Sequence, residues 1–236
     1  KDITTLNHII EQLEDISIPD NIYDGEAYSL EIGTFQEQMK AIKKESKNTS
    51  KIDFNIYDIV LDIPYSERLE ILKGKIFKMS PAPSTNHQRI SMELAGILYN
   101  FFKPHQCNLF AAPFDVRLID KKKSTLDKEI FTVVQPDLCV ICDETKIDER
   151  GAIGAPDLVI EILSPGNPNK EMKYKFDLYE EAGVLEYWIV NPADKTLFIY
   201  VLKENQFIGM HPLIEEDSIQ SKLFPDLDFQ LAEIFN

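Results

Sequence analysis

The sequence predicts a mixed α/β fold, with helices packed against a central sheet, and three observations support this class. From residue 67 onward, the apolar patterns follow the order hairpin, helix, three strands, helix and two strands, which is typical of mixed α/β layers. The 236 residues are 44% hydrophobic, which is enough for the core of one large domain. No run approaches the roughly 18 consecutive apolar residues that a membrane span needs, so no transmembrane helix is expected.

The chain divides into a weakly patterned beginning and a strongly patterned remainder. Helical spacing of apolar residues occurs in "LNHIIEQLEDI", and "TFQEQMKAIKK" predicts a second helix. A turn-rich stretch, "SIPDNIYDGE", separates them. We therefore predict an N-terminal extension over residues 1–66, mostly helical, and a main domain over residues 67–236.

The hairpin and the first helix of the main domain have clear signals. The stretch "RLEILKGKIFKMSPAP" predicts two short strands with a turn at Lys73-Gly74, followed by prolines that end the second strand. The next stretch, "STNHQRISMELAGILYNFF", opens with residues that cap helices. Its apolar side chains fall on one helical stripe, made of Ile90, Leu94, Ile97, Leu98 and Phe101.

The remaining elements follow from apolar runs and their breakers. Three strands are predicted, at about 109–119, 133–142 and 157–163. A helix at about 170–182 ends at Gly183, a residue typical of helix C-terminal caps. Two more strands, "LEYWIVN" and "TLFIYVL", flank an Asn-Pro turn.

The net charge limits the kind of partner. It is −15, from 40 acidic and 25 basic residues, and nonspecific duplex binding depends largely on neutralising phosphates. Basic clusters occur at 40–51 and 120–124, and both read more simply as solvated helix ends or loop tips. The charge therefore argues against a broad nucleic-acid-binding surface.

The three cysteines do not suggest a disulfide framework. An odd, small number favours a reducing compartment, so a cytoplasmic location is expected. Cys139 and Cys142 in "CVIC" lie in an apolar run that reads as a strand. Residues three apart on a strand point to opposite faces, so we interpret the two cysteines as small core side chains and not as ligands of one metal ion.

Carboxylates inside an apolar strand are the main functional signal. In "APDLVIEILSP", Asp157 and Glu161 are four residues apart and therefore share a sheet face. If strands 133–142 and 157–163 pair antiparallel around residue 149, Asp137 lies opposite Glu161. Two carboxylates on one face repel unless a proton or a cation lies between them, and oxygen ligands suit Mg²⁺ or Mn²⁺.

The following helix can supply a cation to this face. At about 100° per residue, Met172, Phe176 and Tyr179 form its buried side, and Lys175 lies at the edge of that side. Lys170 and Lys173 point away. The alternative is an ordinary surface pair between Lys175 and Glu171 one turn earlier, and spacing alone leaves both readings open.

An ordered set of motifs now resembles a known family. The stretches "GKIFKMSPAPSTNHQ", "QPDLCV" and "GAPDLVIEILSP", then Lys175, Tyr179 and "AGVLEYWIVNP", are similar to the Uma-type family of bacterial restriction endonucleases, a branch of the PD-(D/E)xK nuclease superfamily. The resemblance covers about residues 67–236, including the closing "SKLFPDLDFQLAEIF". It implies a restriction-endonuclease-like core with a mixed central sheet flanked by helices.

The resemblance assigns catalytic roles to three residues. Asp137 matches the aspartate of the PD element, and Glu161 matches the acidic residue of (D/E)xK. Both would be metal ligands. The lysine expected two residues later is replaced by Leu163, and in this branch the lysine matches Lys175 on the following helix.

Four further residues are supporting candidates. Glu70 and His87 match family positions, and Tyr179 belongs to the ordered motif. For His87, a capping or satisfied core histidine is the first interpretation and a substrate contact the second. We interpret Asp157 as a residue that does not bind the metal ion itself but orients the metal ligands. The alternative is that Asp157 pairs with a group at the end of a helix.

Together these assignments imply a metal-dependent endonuclease that hydrolyses phosphodiester bonds of nucleic acid, with DNA as the expected substrate and Mg²⁺ or Mn²⁺ as cofactor. A homodimer is expected, with residues 1–66 as a candidate interface. The alternative is a catalytically silent binding module with a nuclease fold, in which Asp157 pairs with Arg150 and Glu161 caps a backbone group.

Overall fold

A computed structural model describes residues 69–72, 75–78, 83–119, 132–164 and 169–235. The chain forms two compact units, Lys1–Met79 and Ser80–Asn236. The helical extension predicted for residues 1–66 lies outside the described residues, so both it and its boundary stay predictions.

The first unit contains the predicted hairpin. Strand β1 (Leu69–Leu72) pairs antiparallel with β2 (Lys75–Lys78), and Glu70 lies opposite Phe77. Glu70 and Leu72 are buried. The two residues between the strands, where the turn is predicted, are outside the described part.

The second unit contains two α-helices, two short 3-10 helices (Glu144–Lys146 and Leu231–Phe235) and twelve strands within the described residues. The α-helices are α1 (Thr85–Phe102) and α2 (Asn169–Ala182). The strands are β3 (Asn108–Ala111), β4 (Val116–Leu118), β5 (Thr132–Val134), β6 (Leu138–Ile141), β7 (Ile147–Asp148), β8 (Gly151–Ile153), β9 (Leu158–Ile162), β10 (Glu186–Asn191), β11 (Thr196–Lys203), β12 (Gln206–Gly209), β13 (Ser218–Gln220) and β14 (Asp228–Gln230).

A mixed sheet with strand order β12-β11-β10-β9-β6-β3 forms the centre of this unit. Strands β9 and β10 are parallel, and the other neighbours are antiparallel. One face carries the main hydrophobic core, in which α1 packs on alternate residues of the strands, among them Leu138, Ile160 and Trp188. By the pleat of the strands, the intervening residues point to the opposite face. In the same unit β5, β4, β8 and β7 are neighbours in that order.

Two predicted strands are each broken into two. The strand predicted at 109–119 is β3 and β4, and the strand predicted at 133–142 is β5 and β6. Pro113 and Pro136 stand in the two interruptions. Proline has no N–H to donate to a ladder, and after each interruption the chain continues in the other sheet. The predicted connection after β6 also contains β7 and β8.

Helix ends agree with the sequence signals. The Oγ of Ser84 accepts a hydrogen bond from the backbone N–H of His87 (3.2 Å) at the start of α1. Gly183 adopts a φ of 93° just after α2, and its N–H donates to the carbonyl of Tyr179 (3.1 Å). Such left-handed geometry is accessible to glycine at little cost.

The expectation of unpaired cysteines is wrong for two of the three. Cys107 and Cys142 form a disulfide that joins the ends of β3 and β6, where the two strands run antiparallel and bring the residues opposite each other. Cys139 is free and buried. The cysteine count therefore no longer supports the predicted cytoplasmic location. No helix among the described residues is long and apolar enough to cross a membrane.

A buried carboxylate that the sequence analysis missed joins β10 to the C-terminal segment. Glu186 is 0% exposed. It accepts hydrogen bonds from the indole Nε1–H of Trp188 (2.6 Å) and from the backbone N–H groups of Lys222 (2.9 Å) and Leu223 (2.6 Å). Three donors compensate the loss of hydration of this carboxylate, so it is a structural group.

Candidate active site

Asp137 and Glu161 meet at one end of the β6–β9 pair. The two strands are antiparallel with Leu138 opposite Ile160, and one residue further this register sets Asp137 opposite Glu161, as predicted. Directly opposed residues share a face, and this face is the one turned away from α1. The backbone N–H of Ile162 donates to Oδ2 of Asp137 (2.8 Å), which brings this carboxylate to the residue after Glu161.

The Glu161 carboxylate receives two side-chain donors from α2. The Lys175 Nζ donates to Oε1 of Glu161 (3.1 Å), and the Tyr179 hydroxyl donates to the same oxygen (2.7 Å). Glu161 and Lys175 are each 9% exposed and Tyr179 is 0% exposed, whereas Lys173 is exposed. The helical spacing that pointed Lys175, and not Lys173, toward the sheet agrees with this placement. The side chain of Glu171, the alternative partner of Lys175, lies outside the described part.

His87, in the first turn of α1, contacts Asp137 at the end of the β6–β9 pair. Its Nε2 lies 3.3 Å from Oδ2 of Asp137, and the side chain is buried. Burial by itself lowers the pKa of His87, but the hydrogen bond to Asp137, the Asp137 charge and the Glu161 charge raise the pKa overall. Nδ1 has no hydrogen-bond partner among the described residues.

The structure agrees with the first interpretation of His87. Its backbone N–H belongs to the helix cap, and its buried imidazole has Asp137 as a partner. The helical stripe predicted that His87 points inward, but the identity of its partner depends on Asp137, which lies 50 residues later in the chain.

Two of the four Pro-Asp dipeptides, at 136–137 and 156–157, have equivalent positions at opposite ends of the β6–β9 pair. Asp137 precedes β6 and accepts the amide of Ile162 just at the end of β9. Asp157 precedes β9, and its Oδ2 accepts the amide of Cys142 just past β6 (2.8 Å). The partner of Asp157 is thus a backbone amide and not Arg150. Asp157 holds the far end of the same strand pair, so any effect of it on the acidic pair passes through the strands.

Glu70, the remaining supporting candidate, is buried on β1. Strand β1 belongs to the first unit, and the role of Glu70 in the site stays a prediction.

Two further groups on the site face escaped the sequence analysis. Burial first, and the Glu161 charge second, raise the pKa of Tyr187 well above its usual value and the pKa of Cys139 to about 12. The Tyr187 ring lies 5.1 Å from that of Tyr179. The alternation of β10 could have indicated Tyr187, because Ile189, two residues later, lies opposite Glu161 in the parallel ladder.

Asp137 and Glu161 are the residues that could hold a metal ion. Within the described ranges, no group of three or more His, Cys, Asp or Glu residues is arranged to hold one. Mg²⁺ needs no such cage, since it commonly takes one or two carboxylates together with water and substrate phosphate oxygens. The Oδ1 atom of Asp137 accepts no hydrogen bond from a described residue, so the donor set fits a hard divalent cation.

Comparison with models of protein families identifies one family. The model of the Uma2 family, described as "Putative restriction endonuclease", matches residues 55–232. An uncharacterized protein of Synechocystis is 26% identical over 135 residues, which cover 57% of this chain and 66% of that protein.

A solved structure has the same fold. A crystal structure from Anabaena variabilis, described as "a putative nuclease belonging to DUF820", has a TM-score of 0.58 and 21% identity, and covers 75% of this chain and 96% of that one. The predicted α+β fold with a restriction-endonuclease-like core is thereby confirmed.

Proposed function

The chain belongs to the Uma2 family, and from this membership we propose that it is a metal-dependent endonuclease that hydrolyses phosphodiester bonds of nucleic acid, with DNA as substrate. The catalytic residues are Asp137, Glu161 and Lys175, and the cofactor is Mg²⁺ or Mn²⁺ held by the two carboxylates. The family supports nuclease chemistry in general terms.

The observation that carries the proposal is the Lys175–Glu161 contact beside Asp137. A lysine 14 residues later in the chain donates to the acidic residue of β9 at 3.1 Å, although both groups are nearly buried. Burying such a pair gains little stability over apolar side chains of similar size. Two carboxylates and an ammonium on one sheet face are, however, the groups that phosphodiester hydrolysis needs.

Each side chain has a definite task in this proposal. A divalent cation, when bound, supplies charge stabilisation at the phosphate and lowers the pKa of a bound water. Lys175 holds a water or stabilises negative charge that develops on the phosphate. Tyr179 fixes the orientation of Glu161, and the Ile162 N–H and His87 fix that of Asp137.

The acidic composition is compatible with this activity if contact with substrate is local. With a net charge of −15, attraction to phosphates over a broad surface is weak. Lys175, together with a metal ion if Asp137 and Glu161 hold one, would supply the positive charge that the scissile phosphate needs. We keep the cytoplasm as the proposed location because nucleic acid is the proposed substrate.

A silent binding module is the second candidate, and the Lys175–Glu161 pair is also the observation that favours it. The Lys175 ammonium balances the charge of Glu161 without a metal ion. In such a module, Asp137, Glu161 and Lys175 would stabilise the fold and would not catalyse a reaction.

Divalent metal decides between the two candidates. We expect the protein to cleave labelled DNA in Mg²⁺ or Mn²⁺ and to stop in EDTA. Independently of substrate, Mn²⁺ at about 100 times its Kd should raise the free energy of unfolding by about 2.7 kcal/mol, because it binds the folded state alone. Asp137→Asn should remove both effects, and thermal melts with and without Mn²⁺ measure the second.

The matched control is Asp157→Asn at the other end of the same strand pair. Asp157 has the same backbone role as Asp137 but no assigned metal contact, so this variant should keep the gain from Mn²⁺. A parent protein whose melting is indifferent to metal, and which cleaves nothing, would favour the binding module.

We also propose a symmetric homodimer. Cutting both strands of a duplex takes two active sites, and the described part of the chain holds one set of Asp137, Glu161 and Lys175. Closed two-fold symmetry is the commonest way to bring two copies together. Residues 1–66 remain the candidate interface. Sedimentation velocity at micromolar concentration measures the state, and a strict monomer would contradict the proposal.

A further inference from the structure

We propose that the stacked rings of Phe110 and Phe114 form a platform on which an unpaired nucleobase of the substrate strand stacks, next to the scissile phosphate. This inference rests on the proposed function and narrows its substrate to nucleic acid that is unpaired at the site, either a single strand or an opened stretch of a duplex. Three observations support the proposal. The two rings lie on the same sheet face as the acidic pair, hydrogen bonds fix the chain that carries them, and the net charge of the protein is strongly negative.

The two rings lie on the same sheet face as the acidic pair. Phe110 is on β3, the edge strand, directly opposite Cys139. Cys139 is two residues after Asp137, so by the pleat of the strand it points to the same face as the acidic pair. The Phe114 ring stacks on that of Phe110, with centroids 4.0 Å apart and planes inclined by 6°. Both side chains are half-buried.

The turn that carries Asp137 also holds the platform. The backbone N–H of Ala112 donates to the carbonyl of Asp137 (3.0 Å). The Gln135 side-chain amide donates to Oδ1 of Asp115 (2.7 Å), the residue after Phe114. The chain around Phe114 is thus tied to the Pro-Asp turn at two points, so the ring keeps its place relative to the acidic pair. A preorganised ring loses little freedom when a base binds.

Unlike the rings that pack with α2, the pair is not part of an aromatic cluster. Phe176, Tyr187, Tyr200 and Phe207 form one cluster under α2. Within the described residues, Phe110 and Phe114 contact no further aromatic ring. The acidic pair therefore lies between the tyrosine and lysine of α2 on one side and the phenylalanine pair at the sheet edge on the other.

Net charge favours this mode of binding over a phosphate-tracking surface. Stacking on an aromatic face does not depend on neutralising phosphates, and every base has a π-face, so it tolerates any sequence. For a protein with a net charge of −15, stacking adds affinity that broad electrostatics cannot supply. Bases paired inside a closed duplex are already stacked and do not offer a free face.

Binding of a single-stranded oligonucleotide that contains 2-aminopurine tests the proposal in EDTA, where no cleavage occurs. The parent should bind it more tightly than a hairpin duplex of the same sequence, and should quench the 2-aminopurine fluorescence by stacking. Phe114→Leu should weaken binding by roughly 5- to 100-fold and lose the quench. Phe114→Tyr keeps an aromatic face and should behave like the parent.

The matched control is Phe101→Leu. Phe101 is also half-buried and also stacked on a ring, that of His105, with centroids 4.6 Å apart, but it lies on α1, on the other side of the sheet. This variant should bind like the parent. The platform would be overturned if both leucine variants lost affinity equally, or if Phe114→Leu lost none. Either result would mean that the rings of Phe110 and Phe114 only pack against the edge of the sheet.

Failure of the platform and failure of the nuclease are separable. Cleavage in Mn²⁺ that Phe114→Leu leaves unchanged would overturn the platform and keep the endonuclease. Binding and quenching that depend on Phe114, in a protein that cleaves nothing, would support the platform and overturn the endonuclease.

Discussion

Lys175→Ala is expected to lower kcat for nucleic-acid cleavage by roughly 100- to 1000-fold, the usual cost of removing one preorganised group that stabilises developing charge. The physical reason is the position of the Lys175 ammonium. Among the described residues, it is the cationic group within hydrogen-bond distance of Glu161. Initial rates on a labelled substrate in saturating Mg²⁺ measure the effect. KM should change far less, since the ammonium acts most strongly on charge that appears during the reaction.

Two variants separate this effect from damage to the fold. Lys173→Ala removes an exposed lysine of the same helix and should cleave like the parent. Removing one member of a buried ion pair can destabilise a protein by roughly 3–5 kcal/mol, so Lys175→Met, which keeps the aliphatic stem, is assayed beside Lys175→Ala at a temperature where circular dichroism shows both folded. If the folded variants cleave as fast as the parent, Lys175 is not the catalytic lysine.

Glu186→Ala is expected to cause the largest loss of stability, at least about 3 kcal/mol, because it leaves three donors unsatisfied at roughly 1–3 kcal/mol each. Those donors are the Trp188 indole and the amides of Lys222 and Leu223, and the carboxylate they bind is fully buried. Urea denaturation followed by Trp188 fluorescence measures the change in the free energy of unfolding.

The control for Glu186 is a carboxylate with a similar bond at the surface. Glu233 accepts the amide of Gln230 (3.0 Å) and is exposed, so water can replace it, and Glu233→Ala should cost less than about 1 kcal/mol. Glu186→Gln keeps one acceptor oxygen and should fall between the parent and Glu186→Ala. A Glu186→Ala protein that unfolds at the same urea concentration as the parent would contradict the structural role assigned to this residue.

The position of Asp137 opposite Glu161 could be predicted from local rules of strand geometry. A strand alternates every two residues, and an antiparallel pair around one midpoint sets its own register. Asp137 opposite Glu161 follows from these two rules, and the observed register agrees. The helical period likewise separates Lys175 from Lys173, because two residues on a helix differ by about 200° in direction.

The same signals did not predict where two of the strands are interrupted. Apolar residues on both sides of Pro113 and Pro136 read as single runs, yet each run changes sheets at its proline. Periodicity reports which residues are buried but not which neighbour covers them. The missing N–H of a proline ends a ladder locally, and the packing of the rest of the chain decides where the next strand goes.

Partners that are distant in the chain were decided by tertiary structure alone. Nothing near His87 in the sequence indicates that its imidazole reaches Asp137, and nothing near Cys107 indicates that it pairs with Cys142. Likewise, nothing near Glu186 in the sequence indicates that the C-terminal segment supplies donors to its carboxylate. Local spacing sets the direction of a side chain, because backbone geometry repeats along each element. Which group it meets depends on how the elements pack, and the three-dimensional fold decides that.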